Sequence, residues 1–180
     1  MKKTIVVMRH SHKGPDGELT KEGELLAKKV GDHFKHLYPF GWAISSPEAR
    51  AIETVRFVTR ENCPVQTAEE VGIPQKELGT ILRLFGKLGN ASLARYIAEG
   101  TDVEKKLCDY GQTAWNTILR APTNADNILV VGHEVLIGAI GAVATSFDED
   151  IVNSSFNECE GFILTLNEKN CAIETRILKN

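Results

Sequence analysis

Ile5-Val6-Val7-Met8, four consecutive apolar residues near the start of the chain, place the tightest limit on what it can fold into. A strand built from them has no face to show to water. Strands buried on both faces belong to sheets covered by helices on each side, and such sheets are mostly parallel. Ile128-Leu129-Val130-Val131 repeats the pattern late in the chain. Between and after these runs the sequence alternates strand-like and helix-like segments. Thr20 reads as an N-cap, with Leu25, Leu26, Val30 and Phe34 at helical spacing to about Leu37. Trp42-Ala43-Ile44 reads as a short strand. Ser46 and Pro47 predict a helix start, through a capping hydroxyl and a proline in the first turn. Helices are further predicted near 76–85, 91–98 and 103–120, and after His133. The tail alternates over 162–166 and 172–178 about a turn at Lys169-Asn170, as a hairpin does. The expected fold is a three-layer α/β sandwich with a mostly parallel central sheet, one domain over residues 1–180.

Composition narrows the function classes. With 42% apolar and 25% charged residues the chain is of ordinary globular make-up. A net charge of −3 argues against general affinity for nucleic acid or anionic membranes, while leaving room for a local cationic pocket. No stretch approaches the ~18 apolar residues of a membrane span, nor the 7–15 or so of a secretory leader before Arg9. Cys63, Cys108, Cys159 and Cys171 form no CxxC pair, so all four are expected as free thiols in a cytoplasmic protein.

In open α/β sheets, ligands bind beyond the carboxyl ends of the strands. Three polar groups fall there: Arg9-His10-Ser11, Ser45-Ser46 with Arg50, and His133-Glu134. Paired guanidiniums suit phosphate oxygens, and a helix start near Ser46 adds N–H donors. A neutral imidazole whose other nitrogen is anchored can act as a nucleophile. His10 is the candidate nucleophile, with Arg9, Arg50 and His133 binding the transferring group. Ser11, His12, Lys13 and Ser46 are further candidates for substrate contact.

Val7-Met8-Arg9-His10-Ser11, Leu19-Thr20-Lys21-Glu22-Gly23, the run Ser45-Ser46-Pro47-Glu48-Ala49-Arg50-Ala51-Ile52-Glu53-Thr54, and Val130-Val131-Gly132-His133 together resemble the histidine phosphatase superfamily. That superfamily includes the phosphoglycerate mutases and the phosphohistidine phosphatases. The order and spacing match over about residues 4 to 140. The resemblance implies a phosphoglycerate mutase-like fold and a phosphohistidine intermediate on His10. It further implies phosphate binding by Arg9, Arg50 and His133, with neither metal nor cofactor. Ser11 stands where Gly is commonest, and His12-Lys13-Gly14 replaces a mutase-like Trp-Asn run. The chain is also short, so the compact phosphatase branch is favoured over a phosphoglycerate mutase-type phosphotransferase. The substrate would be a phosphorylated small molecule or a phosphoprotein.

The general acid has three readings: Glu134, beside the second histidine; Glu69, Glu70 or Glu77, after the second helix; or no dedicated acid. Blander roles exist for each residue. Arg50 could pair with Glu48 or Glu53, His133 could cap a turn, and His12 and Lys13 could be solvated. His33 and His36 read as surface residues of the first helix, and Trp42 and Trp115 as core. One rival reading is a metallohydrolase built on His10, His12 and His133, which leaves both arginines without a role. Another is a phospho-ligand-binding pseudoenzyme.

Overall fold

The computed structural model describes residues 2–74, 78–122 and 125–180. Six strands form one sheet: β1 (Lys3–Arg9), β2 (Trp42–Ser45), β3 (Val65–Thr67), β4 (Asn127–Gly132), β5 (Gly161–Leu166) and β6 (Ala172–Leu178), in the order β3-β2-β4-β1-β5-β6. β1 to β4 run parallel, whereas β5 is antiparallel to β1 and β6 to β5. The apolar runs behave as their composition requires, since successive side chains of a strand point to opposite faces. Val6, Met8, Leu129 and Val131 pack with α1 (Lys21–Phe34) and α2 (Ala49–Thr59) on one face. Ile5, Val7, Ile128 and Val130 belong to a larger core on the other. That second face is covered by α3 (Leu78–Leu88), α4 (Leu93–Ile97), α5 (Thr101–Leu119) and α6 (Glu134–Ala144), followed by the short α7 (Glu149–Asn153). The three-layer α/β sandwich expected from the sequence is present.

The strand order positions the site. The chain leaves β1, crosses to β2 and β3, and only then returns to lay β4 in the slot left between β1 and β2. In such sheets ligands bind at the carboxyl ends of the strands beside a switch point of this kind. Register fixes the neighbours: Arg9 lies opposite Gly132, and Ser45 opposite Val131. The residues that follow, His10, His133 and Ser46, are therefore side by side.

Several local expectations need correction. The second helix starts at Ala49 rather than at Ser46, with Glu48 as N-cap, and no side chain caps it. The Ser46 hydroxyl is drawn instead to His133, at 2.7 Å. β3 was not foreseen, because Val65, Gln66 and Thr67 are exposed at the sheet edge and carry no apolar pattern. α1 ends at Phe34, so His33 lies on it but His36 lies beyond. The helix expected over 76–85 runs over Leu78–Leu88, and the start of the expected span falls outside the described residues. Trp115 is core, and Trp42 packs against it half-buried.

α5 and α6 pack closely because Gly111 has no side chain: a Cβ there would lie 2.4 Å from the Ala139 carbonyl oxygen. Overpacking of this kind typically costs about 1–3 kcal/mol, so Gly111→Ala should lower the urea midpoint clearly. Gly86, exposed on α3 with open space around it, is the matched control. There alanine should stabilise by about 0.5–1 kcal/mol, through a smaller loss of backbone freedom on folding. Equal responses of the two variants would refute the packing assignment.

Candidate active site

His10, Arg50 and His133 meet at the sheet edge. The imidazole centroids of His10 and His133 are 5.1 Å apart, with the rings inclined at 64°. Both are almost wholly buried. His10 Nδ1 is 2.7 Å from the Ser11 carbonyl, which can only accept, so Nδ1 carries the proton and Nε2 keeps its lone pair. Arg50 Nε donates to that Nε2 at 3.1 Å, and Arg50 Nη2 lies 3.3 Å from His133 Nδ1. One guanidinium thus bridges two imidazoles. Burial above all, then His133, Arg50 and Arg9, lowers the His10 pKa to about 2, although the Ser11 carbonyl opposes the shift. His133 is also held below its ordinary value, by burial first, with Arg50 adding to the effect and Glu48 opposing it. Both rings are therefore neutral near pH 7.

The surrounding sequence holds this cluster in place. Ser11 N–H donates to Thr54 Oγ1, whose hydroxyl donates to the Arg50 carbonyl one turn back on α2. The Ser11 hydroxyl donates to the Gly23 carbonyl at 2.8 Å. Gly23 is required there, because a Cβ would lie 2.2 Å from the His12 carbonyl oxygen. Ser11 is fully buried. With its hydroxyl so engaged, it ties the first strand to α1 rather than facing substrate, a correction to its place among the contact residues.

Arg9 sits among carboxylates. Its Nη2 is 2.9 Å from Glu134 and 2.9 Å from Glu158, and its Nη1 donates to the Phe156 carbonyl. Its Nε is buried without a hydrogen-bond partner among the described residues. Glu134 begins α6 at φ +22°, a region that side-chain-bearing residues disfavour. The half-exposed His12 has Nδ1 3.9 Å from Glu158, and Lys13 is exposed, with its backbone bridged to Leu19. Glu53 accepts from Leu19 N–H, while Glu48 contacts Ser46 and His133, so neither forms the ion pair with Arg50 that the sequence left open.

Glu69 and Glu70 are exposed in a 3₁₀ turn, lining a hollow with Lys106, Asp109 and Tyr110 of α5. Glu77 lies outside the described residues. Two site residues escaped the sequence reading, Glu48 and Glu158. β5 runs antiparallel to β1, so the residues leading into it arrive at the edge where β1 ends. Glu158 comes with them. Only the direction of β5 could have revealed it, and a strand's composition does not record direction.

Residues 7–72 match the family model of the histidine phosphatase superfamily (branch 1). The match takes in His10, Ser46 and Arg50, and stops short of His133. No curated protein sequence matches the chain. Solved structures extend the likeness over the whole fold. An alpha-ribazole phosphatase from Shigella flexneri superposes with a TM-score of 0.67 at 16% identity, covering 100% of this chain and 96% of its own. A phosphoserine phosphatase from Entamoeba histolytica, in complex with 3-phosphoglyceric acid, gives 0.63 at 15%, covering 99% and 98%. The protein histidine phosphatase SixA complexed with tungstate gives 0.59 at 18%, covering 99% and 95%. The fold is that of the histidine phosphatases.

Burial of neutral histidine in this fold has a thermodynamic consequence. A folded pKa below the unfolded value means that the unfolded chain binds more protons in acid. The stability contributed is complete above about pH 6.5 and drains away as pH falls toward the folded pKa. Urea unfolding from about pH 7.5 to about pH 4.5 should show this loss, at up to about 1.4 kcal/mol per pH unit for each such ring. His10→Gln should flatten the dependence. An unchanged slope would mean that His10 is not buried as a neutral ring.

Proposed function

We propose that this protein is a phosphatase that transfers a phosphoryl group to His10 and then to water, with Arg9, Arg50 and His133 holding the group. The observation that carries the reading is the anchored ring of His10. Its Nδ1 proton is fixed on the Ser11 carbonyl, and its free Nε2 faces the Arg50 guanidinium beside a second neutral imidazole. A phosphoryl group entering there would replace the Arg50–imidazole contacts with charge-assisted hydrogen bonds to its oxygens. Nε2 would attack phosphorus as the bond to the leaving oxygen breaks, and water would then displace the histidine and release phosphate.

The likeness to alpha-ribazole phosphatase, phosphoserine phosphatase and SixA supports this chemistry, and the tungstate held by SixA is itself a tetrahedral oxyanion. We read the reaction as metal-independent. His10 Nε2 and His133 Nδ1, which the rival metallohydrolase reading would turn to an ion, face the Arg50 guanidinium instead. We assign Glu134 chiefly to Arg9, with which it pairs. The substrate is a phosphorylated small molecule or a phosphoprotein, with His12 and Lys13 at the rim. No described helix is long and apolar enough to cross a membrane, and the four free thiols suit a cytoplasmic setting.

Turnover of p-nitrophenyl phosphate tests the reading. Activity should survive chelator, and His10→Ala should abolish both turnover and acid-labile phosphate labelling. Labelling that persists in that variant would remove His10 from the chemistry. Arg50→Ala should weaken vanadate binding by roughly 1.5–3 kcal/mol, the range for hydrogen bonds to charged groups, or roughly ten- to a hundredfold. Unchanged affinity would return Arg50 to the surface charges.

A further inference from the structure

We propose that Glu48 is a positioning residue for this reaction. Its carboxylate fixes which nitrogen of His133 faces the phosphoryl site and supports a positive charge on that ring when the anion binds. The inference rests on the phosphatase reading above and adds to it a residue that the four-residue cluster does not contain.

The geometry is specific. His133 Nε2 lies 3.0 Å from Glu48 Oε2 and 2.7 Å from Ser46 Oγ, and Ser46 and Glu48 are in contact with each other. A carboxylate only accepts, so the Ser46 hydroxyl donates to Glu48, and its oxygen is free to accept from the ring. His133 therefore carries its proton on Nε2, shared between two oxygens. Nδ1 is left with its lone pair toward Arg50 Nη2 at 3.3 Å. Arg50 Nη2 can only donate, so it favours the same tautomer from the other side of the ring, and Glu48 adds the charged acceptor for the Nε2 proton.

Glu48 has an obvious plainer role, since it is the N-cap residue of α2, where a negative charge is favourable. Its side chain makes no capping hydrogen bond there, however. It turns away from the helix it starts and reaches a histidine 85 positions along the chain. Burial, the largest influence, pushes the Glu48 carboxyl up, but the hydrogen bond with His133, together with the other donors and the Arg50 charge beside it, holds the group below its usual value, as an anion.

The charges around the pair determine how it responds to a ligand. His133 is faced by Arg50 from α2, by the neutral ring of His10 after β1, and by Glu134 of its own helix. Glu48 is faced by Arg50 and by the phenol of Tyr110 on α5, which burial first and Glu48 second hold in its neutral form. In the free site burial above all, with Arg50 adding to it, keeps a proton off His133. A dianion arriving between them draws the guanidinium onto its own oxygens and stabilises a proton on Nδ1. That proton comes from solvent, and the carboxylate behind the ring balances the charge it creates. A carboxylate orienting an imidazole in this way also supports the imidazolium formed as the reaction proceeds. His133 then donates to a phosphoryl oxygen beside Arg50, and two donors replace one.

Nitrogen-detected NMR of the histidine rings, with sulfate as a dianion that does not itself titrate, reads this directly and needs no turnover. His133 should appear as the Nε2–H tautomer in the free protein, and sulfate should raise its titration midpoint. Glu48→Gln should lower the midpoint measured with sulfate by about one pH unit or more, as loss of an adjacent opposite charge does. In kinetics with p-nitrophenyl phosphate, the fall of kcat/KM at high pH should move to lower pH in Glu48→Gln. The same substitution should have little further effect in a His133→Gln background. An Nδ1–H tautomer in the free wild type, an unmoved midpoint, or an equal loss in both backgrounds would overturn the assignment. The last of these would leave Glu48 as a helix start only. A wild type inert toward phosphoesters would instead sink the phosphatase reading, with the NMR result still deciding the Glu48–His133 pair.

Discussion

One guanidinium held between two neutral imidazoles is the interaction on which the rest of this site depends. It is an unusual contact, because a cation beside a basic nitrogen costs energy unless the nitrogen is kept unprotonated. Burial does that here, against the opposing pull of the acceptors that anchor each ring by its other nitrogen: His10 on a backbone carbonyl, His133 on a carboxylate and a hydroxyl. The consequence is a cluster in which Arg50 N–H groups are met by the neutral nitrogens of His10 and His133 rather than by anionic oxygens. An oxyanion satisfies the Arg50 donors better, since each N–H then meets a charged oxygen. Preorganisation of this kind requires no large rearrangement when the ligand enters, and aims donors where charge will develop.

The fold makes that contact possible through its strand order. Had β4 been added at an edge, His133 would stand at least one strand spacing further from His10, about 4.7–4.9 Å. Insertion between β1 and β2 places it next to both His10 and Ser46, with register set by a ladder of buried Val and Ile that cannot slip. A one-residue shift would exchange the two faces of the sheet and move every core side chain to the wrong helical layer. The apolar runs that first signalled a parallel sheet therefore also fix the distance between the rings.

Much of this was legible in the sequence, for a physical reason. Residues at the carboxyl ends of buried parallel strands are constrained both by the strand and by the turn that follows, so Arg9-His10, Ser46 and Gly132-His133 stand out against apolar neighbours. What was not legible falls into two kinds. Ser46 precedes Pro47 as a helix cap would, yet the hydroxyl had a competing acceptor and donor that no local pattern records, and the helix begins three residues later. Glu158 and β3 depend on pairing between distant segments, through the antiparallel return of β5 and the edge position of β3. Neither the direction of a strand nor its place at an edge is written in composition alone.

The carboxylates around Arg9 shift the electrostatic balance of the site in a way the arginines alone would conceal. Arg9 and Arg50 bring two positive charges, while Glu48, Glu134 and Glu158 bring three negative ones, and both histidines are neutral. A dianion entering such a site meets no net attraction from formal charge. On the proposed reading, what would hold it is directional: the Arg50 fork and an imidazole able to take up a proton. Directional donors discriminate by shape and geometry, whereas net charge attracts any anion. Glu134 and Glu158, both on Arg9 Nη2, offset its charge and hold the guanidinium in one orientation, which trades bulk attraction for direction.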